Sequence, residues 1–314
     1  VLGGGGRTIL ALAGLALGIA AAASPARAQD VAASEAARRA ALIAALPADA
    51  AKRVFGLVAE PSAGSPRSIG SYAKGCIGGA VPLPQEGPNW QVMRPARNRA
   101  WGHPALIAAI EHLAAGLPEG WPGLLIGDMG QPRGGPMVTG HASHQIGLDA
   151  DIWLTPMPAG RLSLAERENL PAGSVVAADG NDVDRAAWGP RYHRLIETVA
   201  RLPDLARMFV NPAIKRALCR ETANSPGADR DWLRKVRPWW GHDDHFHMRL
   251  TCPQGQTLCE NQDPPPPGDG CGKDLDWWFT EEARHPKPGP PEKPLLVSQL
   301  PPECAAVALA PPAQ

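Results

Sequence analysis

Two segments of the chain alternate apolar and polar residues with a period of two, the mark of a β-strand buried on one side. In the first, Leu148, Ala150, Ile152 and Leu154 share one face, while Asp149, Asp151 and Trp153 share the other. In the second, Phe246, Met248 and Leu250 alternate with His245, His247 and Arg249. Each strand would bury its apolar side and show ionisable groups on the opposite side, as in an antiparallel sheet with one polar working face. Elsewhere the period is helical. Pro104 stands where a first helical residue would, with Leu106, Ile107, Ile110 and Leu113 behind it at helical spacing. Residues 185–202, 212–219 and 231–236 also predict helices, and Ser34 opens one inside the Ala-rich stretch 31–56. Residues 124–126 predict a short buried strand ending at Gly127.

The two ends of the chain read differently from its middle. Arg7, the apolar run 9–23 and Ala26-Arg27-Ala28 form the charge, core and small-x-small cleavage pattern of an export signal over residues 1–28. The alternative, an uncleaved anchor, is disfavoured because the run is short for a membrane span, and no other stretch nears ~20 apolar residues. The mature protein is therefore expected to be soluble, with no stable membrane insertion, and to work outside the cytoplasm, in the periplasm. Pro264–267 and the Pro-dense stretch 286–302 predict extended, solvated chain. The expected organisation is thus a signal peptide at 1–28, an Ala-rich segment at 29–60, one domain at 61–284, and a Pro-rich tail at 285–314 that Cys304 could pin back.

Composition narrows the choice. Among 314 residues there are 31 basic and 31 acidic side chains, so the chain lacks the excess of Lys and Arg that nucleic acid would demand. The 34 Gly and 35 Pro argue for a loop-rich fold rather than a helical bundle. Six cysteines suit an oxidising compartment and contain no C-x-x-C pair; they allow 15 pairings, among which spacing does not choose. Ten Trp outnumber Phe and Tyr together, as core filler or as the lining of a saccharide or peptide groove. The fold class expected is α+β, with a small central antiparallel sheet flanked by helices and long disulfide-tied loops.

Five of the nine histidines fall in two windows: His141 and His144 before the first alternating strand, and His242, His245 and His247 at the second. Imidazole and carboxylate on a shared face are ligand types for zinc, and a catalytic zinc takes three of them. His144, Asp151 and His247 would make that set. H-E-x-x-H is absent, so this is not a helix-borne zinc site. His242 could orient His245 by hydrogen bonding. Ser71-Tyr72-Ala73-Lys74 matches S-x-x-K, but no K-T-G or S-D-N accompanies it. Gly268-Asp269-Gly270-Cys271-Gly272-Lys273 lacks phosphate-loop spacing and predicts a turn around a disulfide. A rival of another class is a non-catalytic wall-binding protein that keeps zinc for structure; a fourth protein ligand would favour it.

Ser143-His144-Gln145-Ile146-Gly147-Leu148-Asp149-Ala150-Asp151, followed by His245-Phe246-His247, resembles the zinc peptidases that include the D-Ala-D-Ala peptidases and lysostaphin, and whose fold the hedgehog signalling domain shares. The likeness is closer still to the penicillin-insensitive murein endopeptidases. It takes in Ile69-Gly70-Ser71-Tyr72, Gly127-Asp128-Met129-Gly130, Gly140-His141-Ala142-Ser143-His144, residues 209–215 and 229–239, and Gly268-Asp269-Gly270-Cys271-Gly272. This resemblance implies a zinc D,D-endopeptidase that cuts the D-alanyl–meso-diaminopimelyl cross-link of peptidoglycan and is insensitive to penicillin. It implies His144, Asp151 and His247 as zinc ligands and His245 as acid/base or transition-state stabiliser. It also implies a further metal position at His141 with Asp179 and Asp182, although Asp182 stands where the family has His. The bridges it implies are Cys76–Cys304, Cys219–Cys271 and Cys252–Cys259.

Overall fold

A computed structural model describes residues 25–224, 227, 229–290 and 293–313. The export signal expected over 1–28 lies outside the described residues except for its last four, which form the first turn of a helix. Helices α1 (Pro25–Ala44) and α2 (Ala51–Gly56) lead into a hairpin of β1 (Arg67–Ser71) and β2 (Lys74–Gly78). Short strands β3 (Val81–Pro82), β4 (Glu86–Gly87), β5 (Trp90–Val92) and β6 (Trp101–Gly102) precede α3 (Pro104–Ala115), β7 (Leu124–Ile126) and β8 (Asp149–Trp153). Then come α4 (Leu164–Asn169), α5 (Pro190–Ala200), β9 (Leu205–Val210), α6 (Pro212–Ala223), β10 (Val236–Pro238) and β11 (His245–Leu250). The last helices are α7 (Lys273–Trp277), α8 (Glu281–Arg284) and α9 (Pro302–Leu309).

Seven strands make one sheet in the order β10-β9-β11-β8-β7-β5-β4. Its centre, β9-β11-β8-β7, is antiparallel, and the β10–β9 and β5–β7 pairs on its flanks are parallel. The two alternating segments are the neighbours β8 and β11, in a register that sets His247 opposite Asp151 on one side and opposite Phe209 on the other. Their apolar faces meet in a single core. Leu148, Ala150, Ile152 and Leu154 pack there with Phe246, Met248 and Leu250, under Leu106, Ile110 and Leu113 of α3 and Leu195, Ile196 and Val199 of α5. Each large side chain so buried contributes about 1.5–3 kcal/mol, which holds the working face in a fixed register.

The helix expected over 185–202 begins only at Pro190, whose fixed φ suits a first turn; the residues before it form a turn on Asp184. The helix at 212 runs one turn past Cys219, to Ala223. Residues 231–235 form a 3-10 helix and 236–238 a strand. The Pro-rich tail is extended and exposed over 286–290. From Leu295 onward it folds back instead. Leu300, Cys304, Val307 and Ala308 are buried against Phe55, Ile69 and Cys76, and Arg133 caps the last turn by donating to the carbonyls of Val307, Ala308 and Ala310. Pro density hid this helix because Pro302 occupies its first turn, where proline is well tolerated.

Three bridges tie the loops: Cys76–Cys304, Cys219–Cys271 and Cys252–Cys259, the pairing that the family resemblance implied. The first spans 228 residues, so the loop-entropy model sets its contribution at up to about 5 kcal/mol. Among the described residues, no helix is long and apolar enough to cross a membrane.

Candidate metal centre

Asp151 lies at the middle of β8, buried on all sides, and four histidines converge on its carboxylate. Oδ1 faces His144 Nε2 at 3.3 Å and His247 Nδ1 at 3.4 Å. Oδ2 faces His141 Nδ1 at 3.3 Å and His245 Nε2 at 3.8 Å. The strand pair delivers Asp151, His245 and His247. The loop before β8 delivers His141 and His144, and it turns sharply to do so. His144 adopts φ 66°, a left-handed conformation that costs a non-glycine residue free energy and recurs at functional sites. Gly147 holds the same loop at φ 73°, where a Cβ would lie 2.5 Å from Ile77 Cδ1 and 2.9 Å from His103 N.

Outer carboxylates orient three of the four rings. His247 donates from Nε2 to Asp149 Oδ1 at 3.0 Å, which leaves the lone pair of Nδ1 pointing at Asp151. His141 donates from Nε2 to Asp128 Oδ2 at 3.0 Å, and His245 from Nδ1 to Asp244 Oδ1 at 2.5 Å. The fourth ring, His144, has neither nitrogen hydrogen-bonded, although it is completely buried. Asp151 Oδ1 likewise lacks a hydrogen-bond partner. Leaving such groups unpaired in the interior costs roughly 1–3 kcal/mol each. Two imidazole nitrogens lie 3.3–3.4 Å from Asp151 Oδ1 without a well-formed hydrogen bond to it, and a cation among the three atoms would satisfy them all. The residues therefore fit a metal ion. Among the described residues, the grouping whose ligand atoms all lie within 4.8 Å of one another is His141, His144 and Asp151; His247 stands beside it, at 3.4 Å from Asp151 Oδ1.

Burial acts to raise the carboxyl of Asp151, but His144 and His141 beside it outweigh burial and hold it well below the usual carboxylate range. Asp149 is likewise pulled down against burial by Arg249 and His247, and Asp128 by its hydrogen bond from His141 and by Arg99 and Arg97. Burial pushes His247 down to about 4 despite Asp149, so its imidazole is neutral, the form that binds metal. Burial also acts to lower His144 and His245; Asp151 outweighs it at the first, and the Asp244 hydrogen bond at the second, so both are raised.

The scan of protein families matches residues 68–309 to the model described as penicillin-insensitive murein endopeptidase. The chain belongs to this family. It is 47% identical over 251 residues to a Yersinia enterocolitica protein named penicillin-insensitive murein endopeptidase, an alignment covering 80% of this chain and 88% of that one. Proteins of the same name from Klebsiella pneumoniae and Pectobacterium atrosepticum are each 46% identical, covering 80% and 82% of this chain and 89% of theirs. In this member of the family Asp179 and Asp182 stand apart from the histidines around Asp151, and His242 borders them. Asp179 accepts from Asn181 in an exposed turn. Asp182 makes a two-pronged pair with Arg220, at 2.8 and 3.1 Å. Neither belongs to the group around Asp151. His242 donates its Nδ1 hydrogen to Trp240 O; its ring tilts against His245 at 4.9 Å, and Asp244 supplies the hydrogen bond that orients His245. Asp128, Asp149 and Asp244 went unassigned in the sequence, yet each supports one ring. Their only signal there was position, inside Gly127-Asp128-Met129-Gly130 or beside a histidine strand.

Proposed function

We propose that this chain is a zinc-dependent D,D-endopeptidase of the periplasm, exported by its N-terminal signal, that hydrolyses D-alanyl–meso-diaminopimelyl cross-links of peptidoglycan. The observation that carries the reading is the set of lone pairs gathered at Asp151 Oδ1, on the floor of a groove that opens both ways. One lobe, a cavity of about 490 Å3, is lined by Phe209, Trp239, His242 and Arg249. The other, of about 400 Å3, is lined by Arg97, Trp153 and Asp244. His141 and His245 border both lobes. A substrate whose chain continues on both sides of the scissile bond suits a two-sided groove better than a terminal residue does.

His144 Nε2, His247 Nδ1 and Asp151 Oδ1 would hold the zinc. When bound, zinc supplies Lewis acidity, which lowers the pKa of a water from about 15.7 to about 7 and polarises the scissile carbonyl. Asp149 holds the tautomer of His247, and its other oxygen accepts from the backbone N–H of His144 at 2.9 Å, so one buried carboxylate aligns both imidazoles. His245, steered by Asp244, presents Nε2 to the groove as the group that takes or gives a proton at the reacting amide. Ser71 and Lys74 pair across the β1–β2 turn, so this S-x-x-K is a hairpin turn, and the K-T-G and S-D-N partners of a β-lactam-acylated serine are absent from the sequence. The catalytic unit spans residues 61–284, with the tail at 285–314 bound by its bridge.

The test is incubation of the protein with purified cross-linked muropeptide dimers, with product masses read out. Dimers should become monomers, the activity should vanish with chelator and return with zinc, and penicillin should leave it untouched. Inhibition by penicillin, or full activity after exhaustive metal removal, would refute the proposal.

A further inference from the structure

One lobe of the groove does not end at the metal centre. Phe209, edge-on to His247 with centroids 5.3 Å apart, meets Trp239 at 6.0 Å. Trp239 meets Trp278 at 5.9 Å, and Trp278 meets Trp277 at 5.3 Å. Trp240 backs Trp278 at 5.9 Å and is pinned by a hydrogen bond from Nε1 to Ala283 O. These rings come from three separate elements: β9, the segment after β10, and the end of α7. Trp239 and Trp277 are 55% and 47% exposed, against 4% for the packed Trp121 and Trp232. Core packing does not account for two large rings left open to solvent, one of which, Trp239, lines the metal-centre cavity.

We propose that this aromatic shelf binds the saccharide chain of peptidoglycan and thereby presents the attached stem peptide to the metal centre. The inference rests on the murein reading above and extends it from the peptide to the glycan. Three observations support it. The shelf is continuous with the groove, because Trp239 lines the metal-centre cavity itself. Its surroundings are polar: Lys273, Asp274 and Asp276, all exposed, share α7 with Trp277. Exposed rings among polar side chains of both signs fit a neutral sugar, which lays C–H faces on the rings and offers hydroxyls to the polar groups, better than they fit an apolar protein face. The reach is also suitable. Two ring-to-ring steps of 6.0 and 5.9 Å carry the shelf from Phe209 to Trp278, the span of about three to four residues of extended chain, so a short peptide bridges glycan and scissile bond.

The experiment compares two substrates of one cross-link chemistry: muropeptide dimers that keep their disaccharides, and the same peptide dimers freed of sugar by an amidase. Trp277→Ala, at an exposed position outside the groove, should lower kcat/KM on the sugar-bearing dimer by about 3- to 10-fold, chiefly through KM, and leave the sugar-free dimer unchanged. Peptide-free glycan strands serve as a second probe. Wild-type protein should be retained on them, with or without chelator, and Trp277→Ala should be retained less. An equal loss on both dimers, no loss on either, or no retention of wild-type protein on the glycan strands would overturn the proposal. If the wild type cuts neither dimer, the endopeptidase reading fails, and glycan retention alone then decides the shelf.

Discussion

Around Asp151 the interior holds carboxylates, imidazoles and guanidiniums in contact. Beneath the Cys219–Cys271 bridge it holds one ammonium, Lys215, fully buried, whose Nζ donates to the carbonyls of Leu233 at 2.7 Å and Asp269 at 2.6 Å. The two places bear the same burial cost and answer it differently. At the metal centre every carboxylate has a cation or a polarised ring beside it, and attraction outweighs desolvation. At Lys215 dipoles replace countercharge. Burial, helped by Arg237 and opposed by Asp269, pushes the amine down to about 7. Asp128, Asp149 and Asp151 keep their charge because cationic groups and imidazoles touch them, whereas the amine of Lys215, met only by carbonyls, is pushed towards its neutral form. Within the metal centre the rings of His247, His141 and His245 each have an outer carboxylate, whereas the ring of His144 has none.

The strongest way to break this comparison is His247→Ala. It removes one of three proposed ligands and leaves Asp149 with Arg249 and the backbone N–H of His144. Metal content by elemental analysis should fall to background, and activity with it. His245→Ala is the next largest change. Metal should stay near one per chain while kcat falls by roughly 10²–10⁴; if metal is lost as completely as in His247→Ala, His245 is a ligand. Asp149→Asn probes the outer carboxylate. Metal affinity should weaken by about 10- to 100-fold in a competition titration, as for other carboxylates that orient a ligating histidine; an unchanged affinity would show that the tautomer needs no such support.

The smallest effect belongs to Lys215. Its amine has a folded-state pKa of about 7, below the unfolded value of 10.5, so between these limits the unfolded chain binds the extra proton. Stability should therefore rise with pH from 7 towards 10, by on the order of a few kcal/mol, and the destabilisation is fully present below pH 7. Denaturant melts of Lys215→Met should lack that rise. A variant with the same pH slope as the wild type would show that Lys215 stays charged.

The sheet strands were legible because one face of each packs into an apolar core, which imposes period two: the apolar positions of 148–154 and 246–250 meet in that core. The polar faces were legible as faces but not as interior. Asp149, Asp151, His247 and Arg249 are all buried, since loops and the Oδ2-side histidines cover them, and mutual pairing removes the penalty that would otherwise keep them at the surface. The tail misled because proline content reports local stiffness and carries no information about a bridge 228 residues away.

The sequence by itself determined which residues could alternate, where the family motifs lie and which chemistry two histidine windows could support, since these depend on local period and residue type. Only the tertiary structure decided which oxygen of Asp151 meets which ring, which outer carboxylate turns each imidazole, and that Trp239 and Trp277 stand on one shelf. Those facts are set by strand register and loop geometry. They join residues from 39 to 100 positions apart through distances of 3–6 Å, and no local preference encodes such a distance.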